Sequence, residues 1–151
     1  MVLTMNSILK ITAIVFLLIS TTNFLYAQKC EYLEGAWIMA YAEYSSADTT
    51  FEYTEFESDR IKVLGGNHFA FGFQGYRGDP DFAYSGGGRY EYTDSEYTET
   101  IHYHSAAGNV GSTLTFNCRV EDERWYHEGI LPASRSSGDN VRIREIWKRI
   151  K

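Results

Sequence analysis

The chain has 151 residues, with 14 basic against 20 acidic side chains and a net charge of −6. That balance excludes a nucleic-acid partner, whose phosphates demand a basic face, and docking on an anionic membrane surface. An aromatic share of 16% with only two prolines excludes a disordered chain and suits one packed domain. In chain order, Lys10 precedes an apolar run at 11–19, and small and polar residues lead to Ala27, which is the order of a secretory leader. The run falls short of the ~20 apolar residues of a membrane helix. Lys29 stands before Cys30, where a lipid-attachment signal needs a small residue. The expectation is a leader at 1–27 and one domain at 28–151, without a membrane span, secreted or periplasmic.

Beyond Cys30 nearly every segment alternates apolar and polar with period two. Strands are expected at 35–44, 59–64, 68–74, 87–93, 96–104, 112–121, 124–131 and 141–150. Residues 51–56 read as a further strand or an extension of the second. The links are rich in Gly, Asn, Asp and Ser, which suit turns. A short polar link is expected at 45–50, a long one at 76–86 and a polar one at 132–140. A three-residue loop at Gly65-Gly66-Asn67 would pair Val63 with Phe69 and Ile61 with Phe71, keeping Lys62 away from the rings. A two-residue turn at Asp94-Ser95 pairs Tyr92 with Tyr97, gathering Tyr90, Tyr92, Tyr97, Ile101 and Tyr103 on one face. A turn at Asp122-Glu123 sets Val120 opposite Trp125. One-sided strands in sequence order predict an all-β fold, a single eight-stranded antiparallel up-and-down barrel that closes on itself and removes its edges.

Gly35-Ala36-Trp37 at the head of the first strand, before such a meander, resembles the lipocalin and calycin pattern. With Gly86-Gly87-Gly88-Arg89-Tyr90 and Glu145-Ile146-Trp147-Lys148-Arg149, it resembles more closely a group of small exported bacterial lipocalin-like domains, many without an assigned function. The resemblance implies that an Arg of the last strand packs over Trp37, with Arg149 and Arg144 as the candidates. The two lie on opposite faces of their strand, so only one can point inward.

Cys30 and Cys118 are an even pair, read either as a disulfide or as a buried Cys118 with a free Cys30. His102 and His104 form an H-x-H on a face with Glu96, Thr98 and Thr100 that reads as solvent; no third ligand is evident, and no metal is expected. No phosphate loop or nucleophile elbow occurs, so no cofactor is expected. Strand parity turns Glu99, His127, Glu145 and Arg149 into the barrel, where a charge needs a partner or shifts its pKa. Either Arg149 pairs with Glu145 or stacks on Trp37, or Glu99 and His127 stay unpaired to orient a ligand or move a proton. The expected lining is Phe69, Phe71, Phe73, Tyr90, Tyr92, Tyr97, Glu99, Tyr103, Phe116, Trp125 and His127, suited to a small, mostly apolar or amphipathic ligand. The alternatives are isomerase-like proton transfer with Glu99 or His127 as base, or a filled barrel that contacts another protein through the 76–86 loop. A cavity of ~300 Å³ or more would favour binding or catalysis over a filled barrel.

Overall fold

The computed structural model describes residues 29–76, 78–133 and 139–151. The expected leader at 1–27 lies outside them, as does the middle of the 132–140 link. Nine strands follow in order: β1 (Gly35–Ser45), β2 (Thr50–Tyr53), β3 (Ile61–Gly65), β4 (His68–Tyr76) and β5 (Asp79–Tyr92), then β6 (Glu96–His104), β7 (Thr113–Glu121), β8 (Arg124–Leu131) and β9 (Val141–Arg149). Among the described residues the only helical element is a 3-10 turn at Ala107–Asn109. All strand pairs are antiparallel, and β9 returns to β1. β2 pairs with Ala42–Ser45 and β3 with Gly35–Ile38 along the same edge of β1. The two short strands thus fill one position, and the closed barrel is eight-stranded, as the alternation predicts.

Turn chemistry fixes the registers. Gly66 and Asn67 have φ of 56° and 60°, the left-handed pair that a two-residue hairpin turn demands. Gly65 therefore faces His68, Leu64 faces Phe69 and Lys62 faces Phe71. The expected three-residue loop is corrected by one position, which reverses every side chain of β3. Val63 is 44% exposed and Lys62 only 5%. The Asp94-Ser95 turn sets Tyr92 opposite Tyr97, and the Asp122-Glu123 turn sets Val120 opposite Trp125, both as expected.

Two stretches depart from the expected pattern. Residues 76–86 are not a long loop: β4 and β5 stay paired as Phe73 with Tyr84, Gln74 with Ala83 and Tyr76 with Asp79. Pro80 is tolerated because it lies at the start of its strand, beside an irregularity between Gln74 and Tyr76. In β6, Gly88 pairs with Ile101 but Gly87 pairs with Tyr103, so His102 is the extra residue of a bulge. Parity flips there: Tyr103, expected inward, is 54% exposed, and His104 turns into the barrel. A Cβ on Gly88 would stand 1.9 Å from the Thr100 carbonyl oxygen, so only glycine fits beside the bulge.

One end of the barrel is sealed. The segment before β1 crosses beneath the strands: the Cys30 N–H donates to the Asp94 carbonyl (2.8 Å) and the Val120 N–H to that of Lys29 (2.9 Å). Cys30 and Cys118 form a disulfide with their Cα atoms 5.2 Å apart. Trp37 is fully buried and donates Nε1–H to the Leu33 carbonyl at 2.8 Å. Its ring meets Trp125 edge-on at 5.8 Å, and Trp125 meets Tyr97 at 4.9 Å. Arg149 pairs across strands with Trp37, its guanidinium carbon 4.2 Å from the indole centroid. It also donates to the carbonyls of Glu34 (2.7 Å) and Tyr32. Gly35 has φ of 127°, and a Cβ there would lie 2.8 Å from Arg149 Nη1. The Gly-x-Trp sequence is thus a physical requirement of this plug. Arg144 points outward to Glu43 and Glu128.

Arg149→Ala is expected to lower stability by about 1–3 kcal/mol, the range for a lost, partly buried stacking and hydrogen-bonding contact. Arg144→Ala should cost under about 1 kcal/mol, as exposed ion pairs do. Urea unfolding followed by tryptophan fluorescence checks both; the reverse order would contradict the placement of these side chains.

Candidate functional site

The other end of the barrel is open, and a cavity of about 570 Å³ reaches inward from it. Above the plug, the period-two alternation of six strands brings polar groups into the interior. Lys62 of β3 and Glu99 of β6 form an ion pair at 2.6 Å, with side chains 6% and 5% exposed. The Lys62 ammonium also lies between 5.2 and 5.8 Å from the ring centroids of Phe69, Phe71, Tyr97, Trp125 and Trp147. A buried ammonium needs both kinds of partner: a carboxylate to offset its charge and ring faces to replace part of its hydration.

Across the interior, His127 of β8 pairs with Glu145 of β9. The two residues sit directly opposite on neighbouring strands, with Nδ1 3.1 Å from Oε2. Glu145 also accepts from the Tyr44 hydroxyl (3.0 Å) and from Trp147 Nε1 (3.0 Å). Burial alone would raise the Glu145 pKa, but hydrogen bonding and charge from His127, the charge of Lys62 and the Tyr44 hydroxyl bring it from 4.5 down to about 2. Tyr44 is pushed well above its ordinary value by burial and by the Glu145 charge, so it donates its proton. Tyr97 is raised likewise by burial and then by Glu99. An ionised Glu145 accepts the Nδ1 proton of His127, which leaves Nε2 as the free ring nitrogen. Nε2 is buried and has no hydrogen-bond partner among the described residues.

Because the folded state holds Glu145 below its ordinary value, the stability it contributes is complete above about pH 4.5 and is lost as pH falls toward about 2. Glu145→Gln should therefore flatten the stability–pH curve across that window. Urea midpoints of the two proteins that fell in parallel would contradict the assignment.

Aromatic rings wall the outer half. Phe73 and Tyr84 lie 5.4 Å apart, Tyr84 meets His104 edge-on at 4.8 Å, and Phe82 stacks on Tyr84 at 6.3 Å. The Arg60 guanidinium, buried at the mouth, lies over Phe73 (4.4 Å) and Phe56 (4.7 Å). Leu114, Leu131, Val141 and Ile143 complete an apolar wall. His104 is lowered by burial, which favours its neutral form.

Of the expected lining, Phe71, Phe73, Glu99, Phe116 and His127 border the cavity. Phe69, Tyr90, Tyr97 and Trp125 are buried core residues that do not border it. Tyr92 is 45% exposed and borders, with Tyr90, Glu34 and Arg89, an open depression on the surface. Tyr92 and Tyr103 are therefore corrected as lining residues. The expectation of an unpaired Glu99 is corrected by Lys62, and that of an unpaired His127 in part by Glu145. Arg149 stacks on Trp37, at the far end from the open mouth. His102 is the bulge residue itself and His104 turns into the barrel beyond it, and no cluster of three or more metal-ligating side chains occurs among the described residues.

Lys62, Arg60, Tyr44, Phe82, Tyr84 and His104 are among the cavity residues that sequence reasoning did not assign. An inward Glu99 with no assigned cation was the signal for Lys62. For Phe82 and Tyr84 it was their alternation after Pro80.

A family model, DUF4488, described as a domain of unknown function, matches residues 32–151. That span takes in every strand, and the closed antiparallel barrel fits a calycin-like architecture at the coarse level. No curated protein matches the chain.

Proposed function

The chain belongs to the DUF4488 family, and we propose that its barrel binds a small, mostly apolar or amphipathic ligand through the open end. One observation carries this: a cavity of about 570 Å³, aromatic at its mouth and polar at its floor, within a barrel sealed at the opposite end. That volume lies within the ~300–1,000 Å³ range of ligand sites, and apolar walls with a few fixed polar groups are their usual chemistry. The same volume supports binding over a filled barrel, and residues 79–86, expected as part of a long loop, belong to β5 and pair with β4. The Gly35-x-Trp37 plug under Arg149 supports kinship with exported lipocalin-like domains. The disulfide supports an oxidising compartment, in keeping with cleavage of a leader at 1–27.

Proton-transfer chemistry remains the second reading, and the His127–Glu145 pair favours it. Glu99 no longer fits as the base, because Lys62 at 2.6 Å holds its charge. Native mass spectrometry of the protein purified from its own source tests ligand binding. The expected result is a non-covalent adduct of one small molecule that disappears on denaturation. Bare protein mass from gentle and harsh preparations alike would contradict it.

A further inference from the structure

Building on the ligand-binding reading, we infer that the ligand is uncharged and carries a hydroxyl on a ring system, and that the hydroxyl makes a hydrogen bond with His127 Nε2. Three observations converge on this chemistry. First, the charged side chains that line the cavity are Arg60 and Lys62 against Glu99 and Glu145, two of each sign. A charged ligand would add a charge with no counterpart among these four side chains. Second, His127 is 3% exposed, borders the cavity and keeps one buried ring nitrogen without a partner. Its Nδ1 is committed to Glu145, so Nε2 is the ring nitrogen left for a ligand group, and a hydroxyl, which both donates and accepts, pairs with it whether or not it carries a hydrogen. A buried polar atom left bare is destabilising until something bonds to it. Third, the walls above are rings: Phe71, Phe73, Phe82, Tyr84 and His104 present faces and edges to the same space, and Phe116 packs against the His127 imidazole at 4.0 Å. A flat ring system stacks on such walls, and a hydroxyl at its inner edge would reach the floor.

The probes are naphthalene, 2-naphthol and 2-naphthoate, titrated into the mature protein by calorimetry. They share one ring system and differ in a hydroxyl or a charge. The expected order is 2-naphthol tighter than naphthalene by on the order of tenfold, the scale of one well-made buried hydrogen bond. 2-Naphthoate should bind more weakly than 2-naphthol. In His127→Phe the advantage of 2-naphthol over naphthalene should vanish. Should that variant fail to fold, the imidazole ¹⁵N spectrum of the wild-type protein decides the point: the Nε2 resonance of His127 must move with 2-naphthol and stay in place with naphthalene. Equal affinity for naphthalene and 2-naphthol, or tighter binding of 2-naphthoate, overturns the inference and leaves the binding cavity standing. Binding of none of the three overturns the ligand-binding reading itself.

Discussion

Lys62→Ala is expected to cost about 3–5 kcal/mol of folding stability, because it leaves Glu99 as a buried charge without its cation. The two side chains are 6% and 5% exposed and 2.6 Å apart, so each is the other's charge partner in the barrel interior. The pair itself is worth far less than that figure, since burying both charges has already cost most of their mutual attraction. Glu99→Ala should be similarly damaging, while the double replacement Lys62→Met with Glu99→Leu should recover most of the loss. Urea unfolding of the wild type, the two single variants and the paired replacement measures these differences. A cost under about 1 kcal/mol for Lys62→Ala, as for an exposed lysine, would mean that β3 sits in the other register.

The second large effect is expected at the disulfide. Cys30 and Cys118 are 88 residues apart in sequence, and a cross-link closing a loop of that length stabilises by about 4–5 kcal/mol in the chain-entropy model. It also fixes the segment before β1 beneath the barrel, next to Leu33 and Trp37, which are fully buried. The paired replacement of Cys30 and Cys118 by alanine should lower stability by a comparable amount and loosen the plug around Trp37. Reductant should act slowly on the native protein, since the two residues are 0% and 6% exposed. Guanidinium unfolding with tryptophan emission reads both effects; a paired variant within about 1 kcal/mol of the wild type would contradict the structural role of the bridge.

Strand count, closure and most registers were legible because period-two alternation and turn residues carry them locally. Asp94-Ser95 and Asp122-Glu123 each fixed a hairpin without help from the rest of the chain. The stacking of Arg149 on Trp37 was implied by the resemblance that Gly35-Ala36-Trp37 carries, which left Arg144 as the alternative. The floor of the cavity was not legible. An alternation rule treats lysine as an outward residue, whereas Lys62 is inward because Glu99, on a strand 37 residues away in sequence, meets it there. The apolar–polar alternation of 61–65 does not contain that information. The Gly66-Asn67 turn did contain it, because both residues accept left-handed backbone and so favour a two-residue loop. The bulge at His102 was hidden for a related reason: the residue-by-residue alternation of 96–104 is unbroken, and only the glycines on the facing strand report the close approach. Aromatic richness alone could not divide the rings into those that fill the plug and those that line the space above it. That division depends on depth along the barrel axis.

The claim on which the functional reading depends is that the space above Lys62, Glu99, His127 and Glu145 is open to a small apolar molecule. Calorimetric titration of naphthalene into the wild type, Leu114→Trp and Val141→Trp tests it most directly, since Leu114 and Val141 both line the cavity and a larger ring at either would occupy it. Saturable one-to-one binding in the wild type, lost in both variants while each still unfolds cooperatively, is the expected result. Equal binding by all three folded proteins, or none by the wild type, would contradict it.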